Sequence, residues 1–566
     1  MNSLIIALIM IGGYVLAYHS YGHFLAKKIF RIDPSAICPS KTLQDDVDYV
    51  PTQKHVLFGH HFTSIAGLGP IVGPAIAVIW GWLPAVIWVF FGSIFMGAVH
   101  DFGSLIISLR KNGRSIGDLA SDIINPRVRT LFLLIIFFAL IIVIAVFALI
   151  IAILFGMYPE SIIPIWLQIP IAVYLGHLIY QKGKKPLILG LGAVFLMYLT
   201  IGLGVFYPLK MPSFFGFDPL SIWIIILLSY AYIASTLPVQ TLLQPRDYIN
   251  SFQLMIAMGL LGLGTLIAHP PYVAPMLDLS PKGAPPMLPF LFVIIACGAI
   301  SGFHCLISSG TSSKQCSSEK DAKFIGYGGM LMEGTLSALV IVAVCAGIGL
   351  ELVSKDGTVL TGAEAFRYHY ASWSNASGLS SNLHAFITGS ANLIESMGIE
   401  AKYTLGIMGV FLVSFAATTM DSATRIQRYV IHELAGAWKI PTFQRKHPAT
   451  FLAVLTALVL AFCNGSPKGA LTLWPLFGCV NQLLAGLALL VITIYLAKQR
   501  IPSIYASVPM IFMITMTAWA MVLNLIEFFK ASNWLLFIIG LMVFSLEIWM
   551  IIESALVIKK VYASQT

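Results

Sequence analysis

Apolar runs close to membrane length, separated by short polar stretches, recur from one end of the chain to the other. A helix needs roughly 20 apolar residues to cross the hydrocarbon of a bilayer. The strict apolar–polar alternation of strands is absent, which speaks against a barrel. The pattern predicts 15 spans, near 2–25, 57–80, 83–109, 129–156, 164–180, 186–207, 219–240, 250–268, 288–311, 324–352, 402–424, 449–466, 470–497, 504–527 and 533–559. It describes an all-α polytopic membrane protein. The longest outer loop, 353–401, contains a helical pattern over Asn382–Met397.

Composition agrees with that pattern. The 566 residues are 58% hydrophobic and 10% charged, with a mean hydropathy of +0.88. That is too little charge to clothe a soluble surface of this size. A net charge of +9 raises nucleic acid as a partner, and the placement of the charges removes it. With the N-terminus outside, 26 of the 33 Lys and Arg fall on the inside, among them Lys27, Lys28, Arg110, Lys111, Arg114, Lys182, Arg445 and Lys446. The positive-inside rule therefore selects an N-out, C-in orientation with the lipid bilayer as the partner. The first span lacks a basic leader and is followed by Lys27 and Lys28, so it reads as a retained helix rather than a signal peptide. The seven cysteines form no CxxC pair and read as packing residues.

Nucleotide and protease motifs are missing. There is no Walker A pattern. "HELAG" at His432–Gly436 lacks the second histidine of a zinc protease, and "GLGPIVG" at Gly67–Gly73 has the wrong spacing for a dinucleotide loop. An enzyme is not expected.

The informative segments are those that break the apolar pattern. In "FGHHFTSIAGLGPIVGP" (Phe58–Pro74), Gly67, Gly69, Pro70, Gly73 and Pro74 interrupt a span that opens with His60, His61 and Ser64. Irregular backbone at membrane depth is tolerated where it is buried or lines a watery cavity. Secondary transporters build substrate and ion sites from such breaks. Close helix packing through small residues is the competing reading. "YIASTLPVQTLLQPRDY" sets Ser235, Thr236 and Gln240 around Pro238. "GFHCLISSGTSSKQ" carries His304, Ser308, Ser309 and Thr311, and "FAATTMDSATRIQRY" carries Thr418, Thr419, Asp421 and Ser422. Such hydroxyls can ligate Na⁺ or simply bond their own helix backbone.

Two carboxylates, Asp101 and Glu333, fall within spans, where ionisable groups suggest function by default. Glu333 reads equally as a proton carrier or as half of a buried pair. Asp101, close to inner-side arginines, reads as a structural pair. His60, His61, His100, Asp101 and His304 raise a metal site, because imidazole and carboxylate suit zinc or another transition metal. His60 and His61 are adjacent, so they point about 100° apart on a helix and do not share one ion. Substrate hydrogen bonding or proton handling is preferred for them.

Taken together, "DYVPTQKHVLFGHHFTSIAGLGPIVGPAIA", "GAVHDF", "RKNGRSIGDLA", "LPVQTLLQPRDYINSF", "GFHCLISSGTSSKQ" and "TTMDSATRIQRY" resemble the carbon starvation protein A family, in the same order from Asp48 to about Tyr429. The resemblance implies an inner-membrane transporter linked to peptide uptake or, in some members, pyruvate uptake. It also implies the fold of the amino acid–polyamine–cation superfamily, two inverted five-helix repeats with broken first helices (LeuT-like). Laid on the spans, that gives an extra N-terminal helix and linker over 1–56, a first repeat over 57–207, a second over 208–436, and four peripheral helices over 437–566. The broken first helices would be 57–80, at Pro70, and 219–240, at Pro238.

On this reading the substrate meets His60, His61, Ser64, Gly67, Gly69, Pro70, Ser235, Thr236, Gln240, His304, Ser308, Ser309 and Thr311. Ion coupling falls to Asp101, Glu333, Thr418, Thr419, Asp421 and Ser422, with H⁺ or Na⁺ as driver and no cofactor required. The expected function is secondary active import of short peptides. Import of pyruvate or another small monocarboxylate is the alternative. A nutrient-sensing receptor and an intramembrane metalloprotein are the readings of other classes.

Overall fold

The computed structural model describes residues 2–214 and 216–563, so the expected inner end at Thr566 lies outside the described residues. Among those residues the regular structure is helical, apart from a two-stranded ladder of Leu352–Val353 and Val359–Leu360 in the outer loop. Among the described residues twelve helices are long and apolar enough to cross a membrane, and a further pair, Lys54–Ile65 and Gly69–Trp80, passes the same test together across a bend of 43°.

Numbered in chain order, the main helices are α1 (Ser3–Ile29), α2 (Lys54–Ile65), α3 (Gly69–Trp80), α4 (Trp82–Leu109), α5 (Pro126–Met157), α6 (Pro159–Gln181), α7 (Pro186–Phe206), α8 (Pro219–Thr236), α9 (Leu243–Ala268), α10 (Met287–Ile294), α11 (302–315), α12 (Glu319–Gly349), α13 (Ala401–Ala437), α14 (Lys446–Ala461), α15 (Gly469–Lys498), α16 (Ile504–Lys530) and α17 (Trp534–Ala563). The outer loop carries the helix Leu379–Glu395, close to the expected one.

Local signals account for the helix ends. At α5 the Asn125 side chain accepts from the Val128 amide and Pro126 occupies the first turn. An unbroken apolar run follows and stops at Tyr158, just before Pro159.

Two expected spans take another form. The span predicted at 288–311 is a second broken helix, with 295–301 unwound between α10 and α11 and Gly298 at φ +88°. The one predicted at 449–466 is α14, only 16 residues long. The break expected at Pro238 is absent. Helix α8 runs unbroken to Thr236, and Pro238 lies in the turn after it, because the residue before a proline is pushed to extended backbone and Leu237 has ψ 154°.

Burial separates core from rim. The most apolar stretch of α15 is wholly enclosed by protein, and those of α12 and α13 are more than four-fifths enclosed. Helices α1, α7, α16 and α17 instead turn Leu, Ile and Phe outward, as a lipid-facing rim does. Helix α15, one of the four expected to be peripheral, is thus enclosed by its neighbours. Its backbone approaches α11 so closely that a Cβ on Gly302 would lie 2.3 Å from Asn481 O and Leu484 Cβ. Within the core α5 packs along α13, α2 along α9, α3 along α12 and α11 along α15.

Candidate functional site

The two breaks meet. A Cβ on Gly69, the first residue of α3, would lie 2.4 Å from Cys297 Sγ and 2.6 Å from Cys297 Cβ in the other break. Gly73 has the same relation to the carbonyl of Ile294, and Gly67 to Thr419 Oγ1. Only glycine permits these approaches, which is why the sequence is glycine-rich here. Two side chains of α12 pin the pair: Ser337 Oγ donates to Pro70 O at 3.0 Å, and Glu333 Oε1 accepts from the Gly298 amide at 3.0 Å.

A cavity of about 680 Å³ reaches down to this junction. Gly69, Gly73 and Cys297 contribute to it, Phe290, Trp474 and Phe477 give it aromatic walls, and outer-loop residues such as Gly283 and Trp373 line its mouth. A small pocket of about 30 Å³ continues past the junction between Gly67, Phe147, Cys297, Phe303, Thr419 and Asn481. The Thr419 hydroxyl there is buried without a partner.

Below the junction lies a buried polar layer. His60 Nδ1 is 2.6 Å from Asp247 Oδ2, and its Nε2 is 3.2 Å from Thr311 Oγ1. Gln315 donates to Thr311 at 2.7 Å and also bonds Gln244, which donates to Thr52 at 2.8 Å. Beside it, the Arg246 guanidinium pairs with Asp421 and donates to Tyr230 Oη at 2.7 Å. Thr418 Oγ1 accepts from Asn250 at 2.9 Å and from Arg246 at 3.4 Å. Ser64 and Ser422 bond each other at 3.1 Å.

A second chain of charge runs behind the unwound segment. His100 Nδ1 is 2.7 Å from Asp101 Oδ1, and Asp101 Oδ2 is 3.0 Å from His304 Nδ1. His304 Nε2 is 3.3 Å from Glu333 Oε2. All four side chains are fully buried. His61, on α2, bonds Ser312 through Nδ1 at 2.8 Å.

The end away from the cavity, expected to face inward, is closed by the loop before α2. Arg425 and Arg428 of α13 reach Asp48 at 2.7 and 3.3 Å, and the Tyr429 hydroxyl donates to it at 2.6 Å. Lys314 stands 3.8 Å above the Tyr429 ring. Val47 O accepts from the Val239 amide, and Asp46 O accepts from Gln240. Burial alone would raise the Asp48 carboxyl. The charges of Arg425, Arg428 and Lys314 and the Tyr429 hydroxyl outweigh it and hold the group well below the usual carboxylate range.

A broken-helix junction that opens to a cavity at one end and is closed at the other is the anatomy of a transporter. Carbon starvation protein CstA is the family whose pattern matches residues 2–520. The chain belongs to that family. It is 34% identical over 576 residues to the peptide transporter CstA of Escherichia coli (strain K12), covering 93% of this chain and 80% of the other. It is 32% identical over 596 residues to the pyruvate/proton symporter BtsT of the same organism, with 93% and 82% covered. The peptide transporter CstA of Bacillus subtilis (strain 168) is 31% identical over 527 residues, with 88% and 87% covered. Among solved structures, a manganese transporter from Eremococcus coleocola aligns at 12% identity over 92% of this chain and 99% of that one, with a TM-score of 0.39. That likeness is too loose to carry an argument.

Many of the residues singled out in this family member's sequence converge. Gly69 and Pro70 meet the second break at Cys297 and Gly298, and Gly67 meets Thr419 of α13. His60 meets Thr311, Ser64 meets Ser422, and Asp101, His304 and Glu333 form one chain. Ser308 and Ser309 lie on the wide π-wound turn of α11. The Ser308 hydroxyl is buried and unpartnered, and Ser309 bonds its own helix at Cys305 O.

Others lie apart. Ser235 and Thr236 bond back to Ala231 O and Ile233 O, and Gln240 caps the inner loop, so this trio stays at the inner end of α8 and away from the junction. The five-residue metal set does not assemble, since His60 is committed to Asp247 and Thr311 while His100 and His304 share Asp101. Sequence reasoning missed Cys297, Gly298 and Ser337 at the junction, and Asp48, Arg246, Asp247 and Asn250 around it. The "PRD" of "LLQPRDYINSF" was the one available signal, two charges inside an apolar helix start.

Proposed function

We propose that the protein is a secondary active transporter that imports short peptides across the inner (plasma) membrane, driven by a proton gradient. The observation that carries this reading is the meeting of 66–69 with 295–301 at the floor of an outer cavity whose inner side is closed. Relatives named as peptide transporters and as a pyruvate/proton symporter support it.

In this mechanism the amides of 67–69 at the entry to α3 attract the substrate carboxylate, since Pro70 has none and those of Ile71 and Val72 already donate to Leu68 O, and a helix N-terminus carries partial positive charge. Unwound carbonyls of 295–301 and the unpartnered Thr419 hydroxyl accept from the ammonium. Trp474, Phe477 and Phe290 cover side chains and add cation–π attraction. A cavity of about 680 Å³ suits a peptide and far exceeds what pyruvate needs. Transport then requires the Asp48 cluster to part while the outer mouth closes.

For coupling, the arrangement favours H⁺ over Na⁺. Thr418 and Asp421, which could have ligated Na⁺, already hold the Arg246 guanidinium, a fixed cation. Glu333 is the coupling carboxylate on this reading, because Oε1 holds the break at Gly298 and Oε2 faces His304. Gaining a proton there changes what the unwound segment is tied to.

The repeats on this reading are α2/α3, α4, α5, α8, α9 and α10/α11, α12, α13, α14, α15. The hairpin α6–α7 is inserted in the first and the helix Leu379–Glu395 in the second. Each broken helix packs on the last helix of its own half, and α8 and α14 each touch both α5 and α13. With each broken pair taken as one crossing, the count is 15, N-out and C-in. No catalytic role is assigned.

A competition assay tests the substrate. Unlabelled dipeptides suppress uptake of a labelled dipeptide and excess pyruvate does not. Suppression by pyruvate alone would transfer the reading to a monocarboxylate importer.

A further inference from the structure

Three side chains of different chemistry converge just behind the cavity floor, where Cys297 alone of the three lines the cavity. Cys297 comes from the unwound segment, His304 from α11 and Glu333 from α12. One donor atom from each lies within 4.8 Å of the other two, and all three residues are buried. His304 Nε2 and Glu333 Oε2 stand 3.3 Å apart, but they are not aligned for a hydrogen bond and neither has another partner. An imidazole nitrogen and a carboxylate oxygen at such depth, in charge contact with each other but making no hydrogen bond, keep bonding capacity that a ligand joining them would satisfy.

The spacing suits a metal ion. With bonds of about 2.0–2.3 Å, ligand atoms around tetrahedral zinc lie about 3.3–3.7 Å apart. The His304–Glu333 pair already has that separation. Cys297, within 4.8 Å of the other two donors, needs an approach of at most about 1.5 Å, on a segment free of helical constraint and next to Gly298.

The surroundings suit one as well. Asp101 Oδ2 lies 3.0 Å from His304 Nδ1, so that nitrogen donates to the carboxylate and Nε2 is left facing Glu333. A carboxylate behind the imidazole is the usual support of a metal-bound histidine, fixing its ring and tautomer. His100 holds the other oxygen of Asp101 at 2.7 Å.

We propose that Cys297, His304 and Glu333 bind a divalent zinc-class cation, backed by Asp101 and open at the front to the outer cavity. A thiolate and a carboxylate supply two negative charges against the two positive charges of the ion. The mixed sulfur, nitrogen and oxygen set selects zinc over magnesium or calcium, which prefer oxygen alone. Cys297 lines both the large cavity and the small pocket, so the fourth coordination position faces the path of the substrate. Because Glu333 also holds the Gly298 amide, a bound ion ties the unwound segment to α12. It also displaces the proton that Glu333 would carry. The inhibition of uptake by zinc that follows rests on the transport reading, whereas the binding does not.

The test uses the purified full-length chain in detergent with Zn²⁺ or Co²⁺ alone. Wild-type protein binds one equivalent of Zn²⁺ in calorimetry, and Co²⁺ gives a sulfur-to-cobalt charge-transfer band in the near ultraviolet. Cys297→Ser loses that band and binds zinc at least ~10-fold more weakly. Asp101→Asn keeps the band with about 10–100-fold weaker affinity, the loss expected of a supporting carboxylate. The double variant Cys38→Ser/Cys316→Ser, which removes the other close thiol pair, behaves like wild type. A measurement free of variants stands beside these: zinc protects Cys297 of the wild-type chain from N-ethylmaleimide, read by mass spectrometry. Absence of bound zinc, or zinc binding and a cobalt band unchanged in Cys297→Ser, overturns the proposal. Dipeptide uptake by the same preparation reports on the transport reading separately. Uptake without a zinc site removes the metal proposal alone, and a zinc site without uptake removes the transport reading alone.

Discussion

Replacing Gly69 tests the junction at its tightest point. In Gly69→Ala the added methyl lands 2.4 Å from Cys297 Sγ and 2.6 Å from Cys297 Cβ. Non-bonded carbons settle at about 3.5–4.0 Å, so the neighbours must retreat by about 1 Å. The sulfur can rotate away, but the Cβ is fixed to the backbone, and the whole 295–301 segment has to shift. Overpacking of this kind costs about 1–3 kcal/mol, which a bundle of this size absorbs. The functional cost is larger, because a misplacement of about 1 Å at a site that must hold its ligand in register can cost on the order of 100-fold. Uptake in proteoliposomes should therefore fall between about 10- and 100-fold for Gly69→Ala and reach vesicle background for Gly69→Leu, with membrane insertion and monodispersity retained. Gly202→Ala is the control, since no heavy atom lies within 4 Å of a Cβ there, and it should transport like wild type. Adding Cys297→Gly to Gly69→Ala removes both clashing atoms and should restore part of the uptake, a coupling seen only between residues in contact. Wild-type uptake by Gly69→Ala would refute the claim that the two breaks form the site.

Four further expectations follow from other parts of the molecule. Asp48→Asn loosens the inner closure by about 3 kcal/mol, the low end for breaking a mostly buried ion pair, and exposes Cys316, buried beneath that loop, to a thiol reagent applied from the inside; unchanged labelling of Cys316 would count against the gate. The Asp48 carboxyl lies lower in the folded chain than in the unfolded one, so its contribution is complete above the ordinary carboxylate range of about 4 and is lost only as pH falls further; thermal stability across pH 5–8 should be the same in wild type and Asp48→Asn apart from a constant offset. Glu333→Gln abolishes uptake driven by a pH gradient while leaving counterflow of labelled against unlabelled dipeptide within a few-fold of wild type, and loss of both would assign Glu333 to structure rather than coupling. A reporter fused after Thr566 reads as cytoplasmic, and a periplasmic signal would remove the N-out, C-in topology.

Much of this architecture was legible in the residues, for reasons that also mark the limits. Apolar length depends only on the bilayer and gave the helical class, and the inside bias of Lys and Arg gave the expected orientation that a reporter fusion tests. The first break was legible because three glycines and two prolines fall within Gly67–Pro74, where a span has no use for them. The second was not. "ACGAIS" carries one glycine and no proline, and its unwinding is held from outside by Glu333 and Asn481. Pro238 misled for the converse reason, because a proline at a helix end and one at mid-membrane look alike in sequence. The enclosure of α15 was hidden because lipid is as apolar as a protein core, so a buried span and a rim span share a composition. Asp48 escaped notice as a loop residue, and its role depends on arginines more than 370 positions away.

Accumulation of a labelled dipeptide in proteoliposomes containing only the purified chain is the most direct measurement of what this protein does. With an inward proton gradient imposed, the internal concentration should rise above the external one and collapse when a protonophore is added. No accumulation above the external concentration, or accumulation that follows a Na⁺ gradient and ignores pH, would contradict proton-driven peptide import.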